Sequence, residues 1–164
     1  MKYLLIGFAL LLAACGRPAD GGNEAEGLWR STVFDLADRP VAMAEYRGRP
    51  LVINFWARWC PPCRDEIPDF IQAREGAAAL GVELLGVAIE DQAEPVRTFV
   101  KEYGMTYPVL LGKGEGLALM AALGNNQGGL PFTVVIDRRG ELVGRKLGRM
   151  SRSEMDAAFA AAVR

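Results

Sequence analysis

Two cysteines at close spacing are the residues of this sequence best suited to chemistry. They belong to the segment Trp59-Cys60-Pro61-Pro62-Cys63, which follows the apolar run 51–56. If a strand passes into a helix here, Cys60 lies at the helix N-terminus and Cys63 lies in its first turn. The two sulfurs can then meet as a disulfide, and the helix end favours the Cys60 thiolate. The pattern predicts thiol-disulfide exchange, with Cys60 as the nucleophile and Cys63 as the resolving thiol.

Other uses of such a cysteine pair meet obstacles in the same sequence. Haem attachment needs a histidine after the second cysteine, and Arg64 stands there. Zinc needs two further ligands, whereas the chain has no histidine and only one cysteine outside the pair. A purely structural bridge that closes so short a loop gains little unfolded-state entropy. Redox chemistry is therefore favoured, and we expect neither a metal nor another cofactor.

Glu66 is the candidate for proton transfer. The absence of histidine removes the side chain best suited to acid-base work at neutral pH. Glu66 follows Cys63 by three residues, a spacing that puts two side chains on one face of a helix. Burial near the sulfurs would raise the pKa of this carboxyl group enough for proton transfer. The alternative is a surface acid that is merely favourable near a helix N-terminus.

The dipeptide between the cysteines bears on the direction of the reaction. Pro61 and Pro62 remove two N–H donors that could have stabilised the Cys60 thiolate. A less stable thiolate favours the disulfide, so the reduced form should give up electrons readily. We therefore expect a reductant.

The N-terminus is typical of an export signal. Lys2 is followed by the apolar run 3–14, which is too short to span a bilayer comfortably. The run ends in Leu12-Ala13-Ala14-Cys15-Gly16, which resembles the lipobox of bacterial lipoproteins, in which the cysteine is acylated. We expect residues 1–14 to be a signal peptide and residues 15–27 to be a Gly-rich lipidated tether. The protein would then be periplasmic and lipid-anchored to the inner or outer bacterial membrane; an ordinary signal peptide or an uncleaved anchor is the alternative.

Strands alternate with helices from residue 28 onward, which indicates one α/β domain over residues 28–164. Turn residues 37–40 separate two strand-like segments and predict an N-terminal β-hairpin. The continuous apolar run 51–56 predicts a central strand buried on both faces. The remaining elements are expected as a helix over about 61–79 interrupted at Pro68, a strand 82–89, a helix 94–103, an extended segment 107–111, a helix 115–123, strands 132–137 and 141–147, and a last helix with Ser151 as its N-cap.

The bulk composition excludes some classes of partner. The chain has 164 residues, 19 basic and 20 acidic, and a formal net charge of -1. This balance argues against a nucleic-acid binder, which needs a concentrated cationic surface. We expect a monomer whose partners are disulfide-bearing proteins, a membrane thiol that donates electrons, and a membrane reached through the lipid anchor.

Several segments of the sequence resemble a known family. Three stretches are similar to the TlpA/ResA-type branch of extracytoplasmic thioredoxin-like proteins. They are Phe34-Asp35-Leu36, the stretch from Val52 to Pro68 around the two cysteines, and the stretch from Gly129 to Asp137. The match also includes Gly140, in the turn between the last two predicted strands, and as a whole it extends over most of residues 31–164. The resemblance implies a thioredoxin fold, with a central mixed sheet flanked by helices and an N-terminal β-hairpin extension.

The resemblance also implies roles for residues around the two cysteines. Pro131 would be a cis-proline beside them, and the backbone of Leu130 would pair with an incoming substrate chain. A proline between a Gly-Gly-Leu loop and a strand independently fits a tight turn, with a trans proline as the alternative. Trp59 would either contact the substrate or be merely solvated. Thioredoxins keep a buried Asp where this sequence has Asn54, which cannot accept a proton, and in the ResA-type branch a Glu at the position of Glu66 serves the active site.

The expected function is reduction of extracytoplasmic protein disulfides through a mixed-disulfide intermediate, as in cytochrome c maturation by relatives. One alternative is a general disulfide oxidant, and reduction potentials of about -270 mV for thioredoxin and about -120 mV for a strong oxidant separate the two. Another is a Cu(I)-binding or delivery module that uses both thiols. A peroxidase is not expected, because Ala57 stands three residues before Cys60, where peroxiredoxins have Thr or Ser.

Overall fold

The computed structural model describes residues 25–164. The predicted signal 1–14, the predicted lipidation site Cys15 and most of the predicted tether lie outside the described residues. Helix α1 (Glu26–Arg30) begins two residues ahead of the domain boundary predicted at Leu28, and Ala25 before it is fully buried. Among the described residues, no helix combines the length and the apolar character that crossing a membrane would need.

A mixed sheet of seven strands forms the centre of the domain, in the order β2-β1-β5-β4-β3-β6-β7. Its strands are β1 (Thr32–Phe34), β2 (Pro40–Ala42), β3 (Leu51–Trp56), β4 (Glu83–Ala88), β5 (Val109–Leu111), β6 (Phe132–Ile136) and β7 (Leu142–Leu147). Strand β4 runs parallel to β3 and β5, whereas β6 is antiparallel to both β3 and β7. The predicted N-terminal hairpin is β1 and β2, and β1 joins it to the sheet through β5.

The longer helices flank this sheet. They are α2 (Pro61–Gly76), α3 (Ala93–Glu102), α4 (Gly116–Ala122) and α5 (Arg152–Ala162). Helix α2 ends at Gly76 rather than near residue 79, because a separate 3-10 helix, Ala78–Leu80, follows it. Pro68 lies inside α2. Ser151 is the N-cap of α5, as predicted, and forms a capping box with Glu154.

Two apolar clusters cover the two faces of the sheet. Strand β3 is buried along its whole length, so its side chains alternate between the clusters. One cluster contains Trp56, both cysteines of the pair and the buried sides of α2 and α5; we call this the site face. The other contains Phe55 with residues of α1 and α4; we call this the far face. The fold therefore places the two sulfurs at the end of a strand that is held from both sides.

Candidate active site

The cysteine pair begins helix α2, as predicted. Cys60 is the N-cap, and its sulfur accepts a hydrogen bond from the Cys63 N–H at 3.3 Å. Pro61 and Pro62 occupy the first two helical positions, where a missing N–H breaks no helical hydrogen bond. A disulfide joins the cysteines, with an S–S distance of 2.05 Å and a Cα–Cα distance of 5.3 Å. Cys60 is 4% exposed and Cys63 is 1% exposed, so Cys63, which is predicted to be the resolving thiol, is the deeper of the two.

Trp59 directly precedes Cys60, and the loop before β6 packs against the cluster that contains both cysteines. Trp59 is 66% exposed, the largest value among the exposed large apolar residues of the described chain. The Leu130–Pro131 peptide bond is cis, as the family resemblance implied. Leu130 is partly buried and packs against the site-face cluster that contains both cysteines. The Pro131 carbonyl accepts a hydrogen bond from the Gly148 N–H at 2.8 Å, which ties this loop to the end of β7.

Glu66 is fully buried, so it is not the surface acid that the sequence left open. Its Oε1 atom accepts a hydrogen bond from Asn54 Nδ2 at 2.8 Å, and its Oε2 atom accepts one from the Met150 N–H at 3.0 Å. Burial raises the pKa of Glu66 from 4.5 to about 7, against the opposing effect of these two bonds. A carboxyl group with a pKa near neutrality can exchange a proton at physiological pH.

Two partners of this site were not predicted from the sequence: the Thr133 hydroxyl and the Met150 backbone N–H. Asn54 Nδ2 donates a second hydrogen bond, to Thr133 Oγ1 at 3.1 Å. Thr133 is 1% exposed and lies directly opposite Asn54 in the antiparallel pair of β3 and β6. The sequence held one signal of this contact: Thr133 is the single polar residue in the apolar run 132–136. A polar group buried there needs a hydrogen-bond partner. The Met150 N–H left no such signal.

Tyr107 is a second titratable group buried in the site-face cluster. Its hydroxyl has no hydrogen-bond partner within residues 25–164. Burial raises the pKa of Tyr107 well above its usual value, and the nearby Glu66 charge adds to the effect. The phenol therefore stays protonated at neutral pH. This leaves Glu66 as the buried acid of the site face whose pKa lies near neutrality.

Comparisons with known proteins agree with this arrangement. The thiol-disulfide oxidoreductase ResA of Bacillus thuringiensis (strain Al Hakam) is 27% identical over 135 residues, which are 82% of this chain and 74% of the relative. Among solved structures, a thiol:disulfide interchange protein of the thioredoxin family from Chlorobium tepidum TLS has a TM-score of 0.69 and 30% identity, covering 80% of this chain and 92% of that one. A secreted Mycobacterium tuberculosis disulfide oxidoreductase homologous to E. coli DsbE has a TM-score of 0.67 and 25% identity, covering 83% and 98%.

The fold and the disulfide at the start of α2 thus define a thiol-disulfide oxidoreductase of the thioredoxin-like class. This confirms the predicted fold, the predicted enzyme class and the TlpA/ResA-type resemblance. The Redoxin family matches residues 31–161, and the chain belongs to that family.

Proposed function

We propose that this protein reduces disulfides of extracytoplasmic proteins, for example in cytochrome c maturation. The observation that supports this direction is the environment of the Cys60 sulfur. At the helix start, only the Cys63 N–H donates to it, because Pro61 and Pro62 have no N–H. With few donors the thiolate is weakly stabilised, which favours the disulfide form of the protein and electron transfer to the client.

The proposed reaction transfers two electrons to the client. The reduced Cys60 thiolate attacks a client disulfide and forms a mixed disulfide, and the first client sulfur leaves as a thiolate and takes up a proton. Glu66, as a carboxylate, accepts the proton of the Cys63 thiol. The Cys63 thiolate then attacks the Cys60 sulfur, and the second client sulfur leaves. The client is reduced, and the Cys60–Cys63 disulfide is formed.

Residues around the pair would hold the client during these steps. We assign Trp59 as an apolar contact and the Leu130 backbone, next to the cis Pro131, as the pairing partner of the client chain. The exposure of Trp59 and the place of this loop beside the site-face cluster support the assignment. The extended client segment would gain main-chain hydrogen bonds in this arrangement.

We also propose an extracytoplasmic location, where a membrane thiol donor returns the protein to its reduced state. One of the similar structures is a secreted enzyme, and the export signal predicted over residues 1–14 agrees with such a location. Lipid anchoring through Cys15 and a monomeric state are part of the same proposal.

The decisive experiment is the equilibrium reduction potential of the Cys60/Cys63 couple in thiol buffers. A chain of residues 25–164 suits it, because it includes the whole family match over residues 31–161 and contains no other cysteine. We expect a potential near or below about -220 mV. A potential near about -120 mV would make the protein an oxidant. Failure to form the disulfide would leave the Cu(I)-binding alternative.

The two prolines provide a matched test of the physical cause. Pro62→Ala restores an N–H at the second helical position, which faces an N-cap side chain. One added hydrogen bond to the thiolate should raise the potential by about 30 mV. Pro61→Ala restores an N–H at the first position, which does not face the cap, so its effect should be much smaller. Equal shifts in both variants would contradict the proposed cause.

A further inference from the structure

A row of polar side chains crosses the site face of the sheet, the face whose cluster contains the cysteine pair. Asn54 of β3 is paired with Thr133 of β6, and Thr133 is paired with Lys146 of β7. Residues directly opposite each other on adjacent strands point to the same face, so these three side chains form one line. Glu66 contacts its inner end through Asn54. At the outer end, Lys146 Nζ lies 2.7 Å from Glu154 Oε1. Thr133 stands between the buried acid and the surface.

The Asn54 amide group is held at this position by two acceptors. Its Nδ2 atom carries two hydrogens; one is donated to Glu66 Oε1 at 2.8 Å and the other to Thr133 Oγ1 at 3.1 Å. The opposite orientation of the amide would place its carbonyl oxygen between the same two groups. A carbonyl oxygen facing a carboxylate is repelled by it, whereas an N–H facing a carboxylate stabilises its charge. The orientation of this amide therefore affects the charge state of Glu66.

We propose that Thr133 is a positioning residue, whose hydroxyl keeps the N–H groups of Asn54 directed at Glu66. The inference rests on the proposed role of Glu66 as the proton acceptor. Without the hydroxyl, the N–H orientation leaves one buried amide hydrogen without an acceptor. That unpaired hydrogen costs free energy, so the amide is held less firmly and donates less well to Glu66. Loss of the hydroxyl therefore weakens the hydrogen bond that stabilises the charged form of Glu66.

Other charged or titratable groups around Glu66 are separate from this contact. Arg149, in the connection from β7 to α5, favours the charged form of Glu66, and Asp69 on α2 opposes it. Tyr107, ahead of β5, is uncharged at neutral pH, and Lys146 is engaged with Glu154. A substitution at Thr133 removes none of these charges, so a change in the titration of Glu66 would report on the Asn54 contact.

The test is the ¹³C carboxyl titration of Glu66, assigned by its loss in Glu66→Gln, in residues 25–164. Thr133→Val keeps the shape of the side chain and removes the hydroxyl. We expect it to raise the titration midpoint by up to about one to two pH units, which is the worth of one hydrogen bond to a charged group. Thr133→Ser keeps the hydroxyl and should titrate like the parent protein. An unchanged midpoint in Thr133→Val would overturn the proposal.

A double substitution separates this mechanism from a general change in packing. In an Asn54→Ala background the amide is absent, so Thr133→Val should add no further shift. A shift as large as in the parent protein would mean that Thr133 acts by another route, and would also overturn the proposal. The role of Glu66 is tested separately by the midpoint of its carboxyl titration in the parent protein. A value of about 4.3, which is ordinary for glutamate, would rule out Glu66 as the proton acceptor. The comparison between Val and Ser at position 133 would still decide whether the Asn54 contact is real.

Discussion

The charge state of Glu66 follows from a competition between burial and hydrogen bonding. Burial favours the neutral carboxyl group, while the donors Asn54 and Met150 favour the carboxylate. Burial prevails, and the pKa of Glu66 rises to about 7. Two donors nevertheless keep the carboxylate form accessible, which the proposed proton transfer from Cys63 to Glu66 requires.

This pKa predicts how the stability of the protein depends on pH. The folded state binds the Glu66 proton more tightly than the unfolded state, whose pKa is near 4.5. The stabilisation is therefore fully present below pH 4.5 and is lost as the pH rises through 7. At about 1.4 kcal/mol for each pKa unit, the contribution of Glu66 to the free energy of unfolding should fall by about 3 kcal/mol across this pH range. Urea unfolding between these limits measures it.

Glu66→Gln is the control for this prediction. Glutamine does not titrate, so the difference in free energy of unfolding between the two proteins should vary with pH only across the Glu66 window. Other carboxyl groups contribute equally to both proteins and cancel in the difference. Parallel pH dependences in the parent protein and the variant would contradict the raised pKa.

The individual residues of the site differed in how far the sequence could reveal them. Cys60, Cys63 and Glu66 lie within one helical segment, so their spacing alone placed them together. Thr133 is 79 residues from Asn54, and Met150 is 84 residues from Glu66. Those contacts depend on strand register and on the return of the chain after β7, which local patterns do not specify. A backbone donor such as the Met150 N–H is independent of residue type, so no sequence motif marks it.

At the scale of elements, the short connection between β7 and α5 holds two parts of the site. The Gly148 N–H binds the Pro131 carbonyl, and the Met150 N–H binds Glu66. Ser151 then begins α5 through its capping box. The geometry of this connection therefore sets the position of the cis-proline loop relative to the buried acid.

Gly148→Ala should disturb this connection through its backbone alone. Gly148 has a φ of +86° and no atom within 4 Å of an added Cβ, so the cost is conformational rather than steric. A non-glycine residue at such a φ costs about 1–2 kcal/mol. Because the backbone then relaxes, the Met150 N–H should move from Glu66 and the carboxyl titration should shift upward. Urea unfolding and the carboxyl titration measure the two effects.

Gly104→Ala is the matched control for this prediction. Gly104 follows α3, has a φ of +60°, and also has open space around an added Cβ. It should lose a similar amount of stability and leave the Glu66 titration unchanged. If both variants shifted the titration equally, the effect would come from lower stability rather than from the β7–α5 connection.

The elements themselves were mostly predictable, and α1 shows why the prediction was incomplete. Strand β3 and the start of α2 follow from a continuous apolar run and a helix-start pattern. In contrast, α1 falls partly within a Gly-rich segment predicted to be a tether. Tertiary contacts stabilise α1. Trp29 Nε1 donates a hydrogen bond to the Gly140 carbonyl at 3.1 Å, across 111 residues of sequence. Leu28 is fully buried in the far-face cluster. A window along the chain does not contain those partners.

Across the whole molecule, the sheet separates the redox site on one face from the packing of α1 and α4 on the other. The cysteines and Tyr107 belong to the site face, whereas α1 and α4 pack on the far face. Neighbouring residues of one strand serve opposite faces: Val134 lies in the far-face cluster and Val135 in the site-face cluster. Stability and the titration of Glu66 should therefore respond differently to substitutions at these two positions.

Val134→Ala and Val135→Ala test this separation with the same chemical change. The two side chains are 0% and 5% exposed, and losing two carbon atoms from either should cost about 2 kcal/mol. Val135 also lines a groove of about 290 Å³ together with Thr133 and Met150, both of which belong to the Glu66 network. A smaller side chain there admits water, relieves the burial of Glu66 and should lower its pKa. Val134→Ala should be equally destabilised in urea yet keep the parent titration; a matching pKa decrease in both variants would mean that the sheet does not isolate the site from the far face.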